Sequence, residues 1–291
     1  MELINMKILL QFAQKNRIAV GAFTIWSLDS AQAVIDAANE LDMPVIMQAG
    51  DLECNYAGME NIAEIARMAV RKSKVPAALN LDHGASPEWA ENAIKAGFTS
   101  VMIDASKYGF EENIRITKEV VAMAKSAGVS VEAELGRIGG AEGKIGVAGE
   151  DAAQTDPQQA RKFAERTGID ALAVAIGTAH GFYTESPVLN IERLKKIAAA
   201  TEVPLVLHGG SGTPDDQVAE AIQNGITKIN ICTEFVAAMG KGYISAQNAE
   251  GFRYNVPNLF NPAKEAGRKL VYDKIKFFAN GYRGVKGTAI C

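Results

Sequence analysis

Short apolar runs alternate with longer amphipathic stretches along most of the chain. The runs are rich in Val, Ile, Leu and Ala, which is typical of strands buried on both faces of a sheet. They predict strands at residues 18–23, 43–48, 77–81, 99–103, 129–135, 171–176, 204–207 and 228–232. Helical spacing of apolar residues predicts helices at 30–41, 59–71, 110–126, 157–166 and 191–200, with further helices beginning at Ser86 and Thr213. This alternation indicates an α/β fold, a parallel sheet closed as a (β/α)8 TIM barrel.

The chain extends beyond the alternating units at both ends. Residues 3–15 predict an extra helix before the first strand, and the tail over 251–291 contains one more helix at 262–278. No linker or shift in composition separates these parts, so we expect one domain over residues 1–291. Residues 136–154 break the alternation, because they are rich in Gly, Ala and charge and lack periodicity. So long a loop in a barrel is typical of a functional lid or a disordered segment.

Composition narrows the class of protein. Of the 291 residues 48% are hydrophobic, and the net charge is −4 with Lys and Arg spread along the chain, so we expect no nucleic-acid partner. No apolar run approaches the length of a membrane span, and residues 1–10 lack the apolar core of a signal peptide. The cysteines at 54, 232 and 291 lack metal-type spacing. These features predict a reduced, cytoplasmic protein without a membrane partner.

All three histidines of the chain occupy the same kind of position. His83, His180 and His208 each follow an apolar run and precede a glycine. The carboxyl ends of barrel strands meet at one mouth, where the active sites of this fold lie. We expect the three rings to converge there as ligands of a catalytic zinc ion, with a fourth position open to water or substrate. The alternative is three pocket histidines that make ordinary hydrogen bonds.

Carboxylates accompany these histidines at the predicted strand ends. Asp82 precedes His83, and strand alternation sends its side chain in the opposite direction, so we predict a general acid/base beside the metal. Its alternative role is to orient a neighbouring group. Asp104 and Glu134 end the fourth and fifth predicted strands, where they could form a second cation position. Ordinary strand-end carboxylates are the other interpretation of that pair.

Glycine-rich turns follow the last two predicted strands. The segment Gly-Gly-Ser-Gly at 209–212 comes after the seventh strand, and residues 230–233 end the eighth strand before a helix. Barrel phosphate sites are frequently built from these two loops, with backbone N–H groups and hydroxyls such as those of Ser211 and Thr233 as donors. Lys228 is an alternative active-site residue as a Schiff-base lysine. A structural role is favoured for it, because the metal already explains the carbonyl chemistry.

Several segments together resemble the class II, zinc-dependent ketose-bisphosphate aldolases, with the fructose- and tagatose-bisphosphate enzymes as the nearest group. The segments are Asp82-His83-Gly84, EAELG at 132–136, AVAIGTAHG at 173–181, PLVLHGGSG at 204–212 and the run 228–234. In order they span roughly residues 1–235, and their combination is highly specific. The resemblance implies a lyase of carbohydrate metabolism that cleaves a phosphorylated ketose to dihydroxyacetone phosphate and an aldehyde.

The resemblance also implies roles for the residues of the predicted mouth. It implies zinc on the three histidines, proton transfer at the substrate C4 hydroxyl by Asp82, and an alternative metal position beside Glu134 and Asp104. A glutamate on the mobile loop after the fifth strand, which would be Glu142, is implied to take the proton from dihydroxyacetone phosphate. A solvated loop carboxylate is the other interpretation of Glu142.

The same resemblance implies a phosphate site and partners. The groups implied to hold the triose phosphate are Gly181, Gly209, Gly210, Ser211, Asn230 and Thr233. A monovalent cation, Na+ or K+, is implied nearby. Family members are commonly homodimers or homotetramers, so we expect a homo-oligomer.

Departures from the family pattern concern the half of the site that would hold the aldehyde. Thr24 stands where the family usually has asparagine, and the family often has a serine near the position of Gly50. Cys232 stands where the bisphosphate enzymes have Ala or Asp. The arginine motif that grips the distal phosphate is not recognisable, and Arg253 and Arg283 are candidate replacements with the character of surface residues. We hypothesise that the distal group is not the usual phosphate.

Two other functions compete with the aldolase. A metal-dependent barrel hydrolase usually carries His-x-His on the first strand, where this chain has Gly21-Ala22-Phe23. A non-catalytic, aldolase-like regulatory subunit is the other alternative. Such a subunit would be expected to lose ligands, whereas the three histidines, Asp82 and Glu142 are all present.

Overall fold

Parallel strands form the centre of the molecule. The computed structural model describes residues 1–147 and 154–284, and the side chains of 140–147 and of Phe182 lie outside this description. The strands are β1 (Val20–Thr24), β2 (Val45–Ala49), β3 (Ala77–Gly84), β4 (Ser100–Ile103), β5 (Ser130–Leu135), β6 (Gly139–Val147), β7 (Ala171–Val174), β8 (Ala179–Tyr183), β9 (Leu205–Leu207) and β10 (Ile226–Ile231). Eight of them close into a barrel in the order β1-β10-β9-β7-β5-β4-β3-β2, which confirms the predicted TIM barrel.

Helices connect the strands and surround the barrel. They are α1 (Met6–Asn16), α2 (Leu28–Leu41), α3 (Asp51–Ala57), α4 (Met59–Val70), α5 (Pro87–Ala96), α6 (Phe110–Ser126), α7 (Pro157–Thr167), α8 (Ile191–Ala200), α9 (Asp215–Gln223), α10 (Thr233–Gln247) and α11 (Val256–Phe278). Local chemistry sets their starts. The Ser86 hydroxyl and the Asp156 carboxylate cap α5 and α7, and in both helices proline takes the first position, where its missing N–H costs nothing.

Two terminal segments lie at the amino ends of the strands. Leu3 bridges to Ala77, the first residue of β3, and α1 buries its apolar face against the barrel. At the other terminus, the Phe278 carbonyl at the end of α11 accepts a hydrogen bond from Ala19, just before β1. These segments cover the amino ends of the strands, so an active site is expected at the carboxyl ends.

Three parts of the structure differ from the predicted elements. Residues 139–147 form β6, which pairs in parallel with β8 outside the barrel, so the prediction of a loop over this segment is wrong. Its many glycines give no side-chain alternation, although their backbone can still pair. The tail helix begins at Val256 rather than at Pro262, because Asn255 caps it and Pro262 lies inside it. The helix α3 was not predicted, because it is too short to show a helical period of apolar residues.

None of the helices within the described ranges is long and apolar enough to cross a membrane.

Candidate active site

The three histidines meet at the carboxyl ends of the strands. His83 lies near the end of β3, His208 directly follows β9, and His180 lies on β8 rather than at the end of the sixth barrel strand. The ring centroids of His83 are 4.7 Å from those of both His180 and His208. One ligand nitrogen from each ring lies within 4.8 Å of the other two, a spacing that could hold a metal ion.

The backbone at His83 is unusual. Its φ is +47°, in the left-handed region that non-glycine residues rarely occupy. Gly84 follows it, and a Cβ at Gly84 would collide with the Met102 carbonyl of the next barrel strand. The glycine therefore lets β3 approach β4 closely while the turn aims the imidazole into the mouth, and strain of this kind clusters at functional sites.

A carboxylate fixes the tautomer of His83. Its Nδ1 donates to the Asp104 carboxylate at 3.0 Å, which leaves Nε2 as the free ring nitrogen. Burial alone lowers the pKa of His83, but the carboxylates of Asp82, Asp104 and Glu134 outweigh it and raise this pKa to about 10. A positive charge is therefore stabilised at this ring, and either a proton or a metal ion can supply it.

A second carboxylate, Glu132 on β5, fixes the tautomer of His208. The His208 Nε2 donates to Glu132 at 2.7 Å, and the Lys228 ammonium donates to the other oxygen of the same carboxylate at 2.7 Å. All three side chains are fully buried. Burial would raise the pKa of Glu132, but Lys228 and His208 outweigh it and lower this pKa to about 2. The carboxylate is thus ionised and holds both partners, and the Lys228 ammonium is committed to it.

These two tautomers bring free nitrogens together. His83 Nε2 and His208 Nδ1 are 2.9 Å apart, and neither carries the hydrogen already donated to a carboxylate. A proton or a metal ion between these nitrogens would satisfy both lone pairs. Burial, followed by the charges of His83 and His208, lowers the pKa of His180 well below its ordinary value, so its ring is neutral. Imidazoles oriented by carboxylates, as His83 and His208 are, suit Zn²⁺, and a metal ion could replace the proton that His83 otherwise holds, so the set fits this metal.

Asp82 lies beside the histidines and is nearly fully buried. Its two oxygens accept hydrogen bonds from the side-chain amides of Gln48, at the end of β2, and Asn230, on β10, each at 3.0 Å. No hydrogen bond joins Asp82 to an imidazole among the described residues. Asp82 thus lies beside the three rings, where it was predicted, and the two amides hold its carboxylate in one position.

The predicted second cation position also has a geometric counterpart. Ligand atoms of His83, Asp104 and Glu134 lie within 4.8 Å of one another. Burial, and then the charge of Asp104, raises the pKa of Glu134 to about 8. The pKa of Asp104 is lowered far below its usual range, because its hydrogen bond with His83 and the charge of that ring outweigh burial. A cation here would be shared with the histidine cluster through His83.

The two glycine-rich loops predicted to hold phosphate are joined to each other. Gly210 donates its N–H to the Asn230 carbonyl at 3.2 Å, and the Ser211 hydroxyl accepts from the Glu234 N–H at the start of α10. A Cβ at Gly210 would meet Ile229 and Asn230, so only glycine allows this approach. The side-chain amide of Asn230 is directed to Asp82, which links the phosphate loops to the carboxylate.

Tyr183, at the end of β8, makes hydrogen bonds that join the segment carrying His180 to the loop after β9. Its hydroxyl accepts from the Ala179 N–H at 2.9 Å and lies 2.9 Å from the Gly209 carbonyl, to which it can donate. Burial raises the pKa of Tyr183, so the phenol stays protonated. Tyr183 thereby joins β8 to the loop that begins at Gly209.

Some residues of the site escaped prediction from the sequence, and others lie elsewhere. Glu132, Gln48 and Tyr183 were not singled out, although Glu132 stands in the EAELG segment. Glu142 lies on β6, and its side chain is outside the described residues. Arg253 and Arg283 are exposed, and the chain next to Arg283 packs on the C-terminal cap of α2, at the amino ends of the strands. Arg283 therefore lies at the end of the barrel opposite the candidate site, and it does not reach the position predicted for a distal phosphate in its own chain.

Comparisons with known proteins show which family this chain belongs to. Residues 4–282 match the family model of class-II fructose-bisphosphate aldolase. The YdjI aldolase from Escherichia coli K12 superposes with a TM-score of 0.86 at 37% sequence identity, covering 97% of this chain and 100% of that one. Fructose-bisphosphate aldolase from Campylobacter jejuni superposes with a TM-score of 0.80 at 23% identity over 96% of each chain, which shows a common fold. The chain belongs to the class-II fructose-bisphosphate aldolase family and is a lyase.

Proposed function

We propose that this protein is a zinc-dependent aldolase that reversibly cleaves a phosphorylated ketose to dihydroxyacetone phosphate and an aldehyde. One observation carries the proposal: three imidazoles converge within 4.8 Å beside the buried carboxylate of Asp82. His83, His180 and His208 would hold the ion. Bound there, the metal would polarise the C2 carbonyl and stabilise the negative charge that develops when the C3–C4 bond breaks.

Asp82 is the proposed base for the cleavage step. The C3–C4 bond breaks as the C4 hydroxyl loses its proton, which forms the aldehyde and leaves the electron pair on the triose. Gln48 and Asn230 hold the Asp82 carboxylate by both oxygens, so it is oriented before substrate arrives. Its remaining lone pairs are available to the hydroxyl.

The triose must then be protonated at carbon. We assign the transfer of that proton to Glu142, on the strand after β5. The residues proposed to bind the phosphate of the triose are Gly181, Gly209, Gly210, Ser211, Asn230 and Thr233. This assignment is supported by the position of the loops after β9 and β10 at the carboxyl ends of the barrel strands, where barrel phosphate sites are often formed. A monovalent cation beside the phosphate and a homodimer or homotetramer remain predictions, the latter checked by light scattering.

A half-reaction and the full reaction together test the proposal. Exchange of a dihydroxyacetone phosphate C3 proton in D2O, followed by NMR, needs no aldehyde. Aldol cleavage is followed by release of dihydroxyacetone phosphate from ketose phosphates. We expect a chelator to abolish both activities and zinc to restore them.

The matched variants are His180→Ala, which removes a metal ligand, and Glu220→Gln, an exposed change on α9. His180→Ala should be inactive in both assays, while Glu220→Gln should behave as the parent protein. Full activity in chelator would contradict the role of the metal. Turnover of esters or amides without proton exchange would instead support the barrel hydrolase.

A further inference from the structure

The segments that carry β1, β2 and α3 at one side of the barrel mouth contain no basic residue. Residues 18–66, which contain β1, β2 and α3, include no Lys or Arg, although they include Asp51 and Glu53. The residues between the end of β3 and α5, Ala85 and Ser86, are uncharged. This side flanks Asp82, whereas the proposed triose-phosphate loops follow β9 and β10. The aldehyde half of a substrate would therefore lie against an acidic wall.

Glu53 is an acidic group of this side that interacts electrostatically with Asp82. Its carboxylate accepts a hydrogen bond from the Gly50 N–H at 2.9 Å, so it covers the N-terminus of α3. A Cβ built at Gly50 would lie 3.4 Å from that carboxylate oxygen and 3.5 Å from the Asp82 carbonyl oxygen, which places Glu53 next to the end of β3. Burial, together with the charges of Asp82 and Asp51, raises the pKa of Glu53.

Two of the N–H groups that could receive an anion at the N-terminus of α3 already have acceptors. Gly50 donates to the Glu53 carboxylate, and the Leu52 N–H donates to the Asp51 carboxylate at 2.9 Å. Both acceptors are the helix's own carboxylates. A phosphate approaching this end of α3 would meet these two carboxylates, which already hold two of its backbone donors.

Gln48 gives an independent indication of the ligand. Its side chain is fully buried beside Asp82, with its Nε2 donating to that carboxylate. Its Oε1 has no hydrogen-bond partner among the described residues, and such an oxygen accepts a donor. Gln48 and Glu53 both therefore offer acceptors. Hydroxyl groups satisfy acceptors, whereas a phosphate dianion has no hydrogen to give.

We infer that Glu53 determines specificity for an aldehyde half that is uncharged and hydroxylated, so that the substrate is a ketose 1-phosphate rather than a bisphosphate. The inference rests on the proposed function and narrows its substrate class. Glu53 acts by repelling a distal phosphate and by accepting a hydroxyl hydrogen, and Gln48 accepts a second one.

Aldol synthesis tests this without assuming the stereochemistry at C4. Consumption of dihydroxyacetone phosphate is measured with D-glyceraldehyde and with D-glyceraldehyde 3-phosphate, on the zinc-loaded full chain. We expect kcat/KM for the uncharged aldehyde to exceed that for the phosphorylated one by at least about tenfold. Glu53→Gln keeps a side chain that can cap α3 and removes the charge, so it should narrow this ratio about tenfold. Glu220→Gln, the same change on exposed α9, should leave the ratio as it is.

The outcomes separate the two proposals. Proton exchange into dihydroxyacetone phosphate together with a preference for D-glyceraldehyde 3-phosphate would overturn this inference and leave the aldolase standing. A ratio that Glu53→Gln does not move would overturn the role of Glu53. Absence of exchange in the zinc-loaded protein would overturn the proposed function and this inference with it.

Discussion

At the scale of single residues, Glu132 decides which nitrogen of His208 is free. Its carboxylate lies between His208 and Lys228, with all three side chains fully buried. Glu132→Gln offers His208 a weaker acceptor and leaves the Lys228 ammonium without a counter-charge. We expect zinc affinity to fall about 10–100-fold, as for other partners of metal-binding histidines. The free energy of unfolding should fall by about 3 kcal/mol, since an unpaired charge remains buried.

Zinc competition with a chromophoric chelator and urea unfolding measure the two effects. The double variant Glu132→Gln with Lys228→Met removes both charges of the ion pair. It should regain most of the stability, because no lone charge is buried, but little of the zinc affinity. Recovery of both quantities together would show that Glu132 acts on packing alone and does not orient His208.

Asp82 supports a separate prediction, because its proposed task belongs to only one of the two proton transfers. Asp82→Ala should lower kcat for cleavage about 10²–10⁴-fold, the usual contribution of a positioned base. Zinc content should stay at the parent level, since Asp82 makes no hydrogen bond to an imidazole in the described residues. Proton exchange into dihydroxyacetone phosphate should be largely retained. Equal losses of cleavage and exchange would assign Asp82 to the structure of the whole site.

At the scale of elements, the turn between β3 and β4 depends on one glycine. Gly84 follows the left-handed His83, and a Cβ there would collide with the Met102 carbonyl. Gly84→Ala must therefore separate the two strands or displace His83. We expect the free energy of unfolding to fall by about 2 kcal/mol or more, as for backbone strain at a special position, with a loss of zinc affinity.

Gly109, the residue before α6, provides the matched control. It has φ of −65°, and a Cβ there would meet nothing within 4 Å. Gly109→Ala should cost no more than about 1 kcal/mol, because its Cβ meets nothing and only the preference of an N-cap for glycine over alanine is lost. Urea unfolding of both variants compares them directly. Similar stabilities would show that β3 and β4 have room to adjust.

The elements also show how far the sequence predicts this fold. Every barrel strand was predicted near its observed position, because a strand buried on both faces carries a continuous apolar run. The pair β6 and β8 was missed, since it lies outside the barrel and β6 is rich in glycine. His180 was consequently predicted at the end of the sixth barrel strand, when it lies on β8.

At the scale of the whole molecule, the site depends on contacts between distant parts of the chain. The histidines were predictable, because the barrel brings the ends of its strands to one mouth. The Glu132–Lys228 ion pair joins positions 96 residues apart on strands that are not neighbours in the sheet. Its existence depends on barrel closure and on side-chain lengths inside the core, which no local pattern encodes. Glu53 likewise becomes informative only when α3 places it beside β3.

Zinc should therefore stabilise the whole barrel as well as the site. A ligand that binds only the folded state at about 1,000 times its Kd adds about 4 kcal/mol to the free energy of unfolding. For a chain of this size that corresponds to a rise in Tm of roughly 5–15 °C. Scanning calorimetry with chelator and then with excess zinc measures it, and a Tm unaffected by zinc would contradict the metal site.

His180→Ala is the sharpest variant for this measurement. His180 lies on β8, outside the barrel sheet, and it is absent from the Glu132–Lys228 network, so its truncation removes a ligand while the barrel pairs remain. In chelator its Tm should match that of the parent protein closely, and zinc should then raise it far less. An undiminished rise would place the stabilising ion at His83, Asp104 and Glu134, the other cluster able to hold a metal among the described residues. The variant thus distinguishes the two cation positions without any assay of activity.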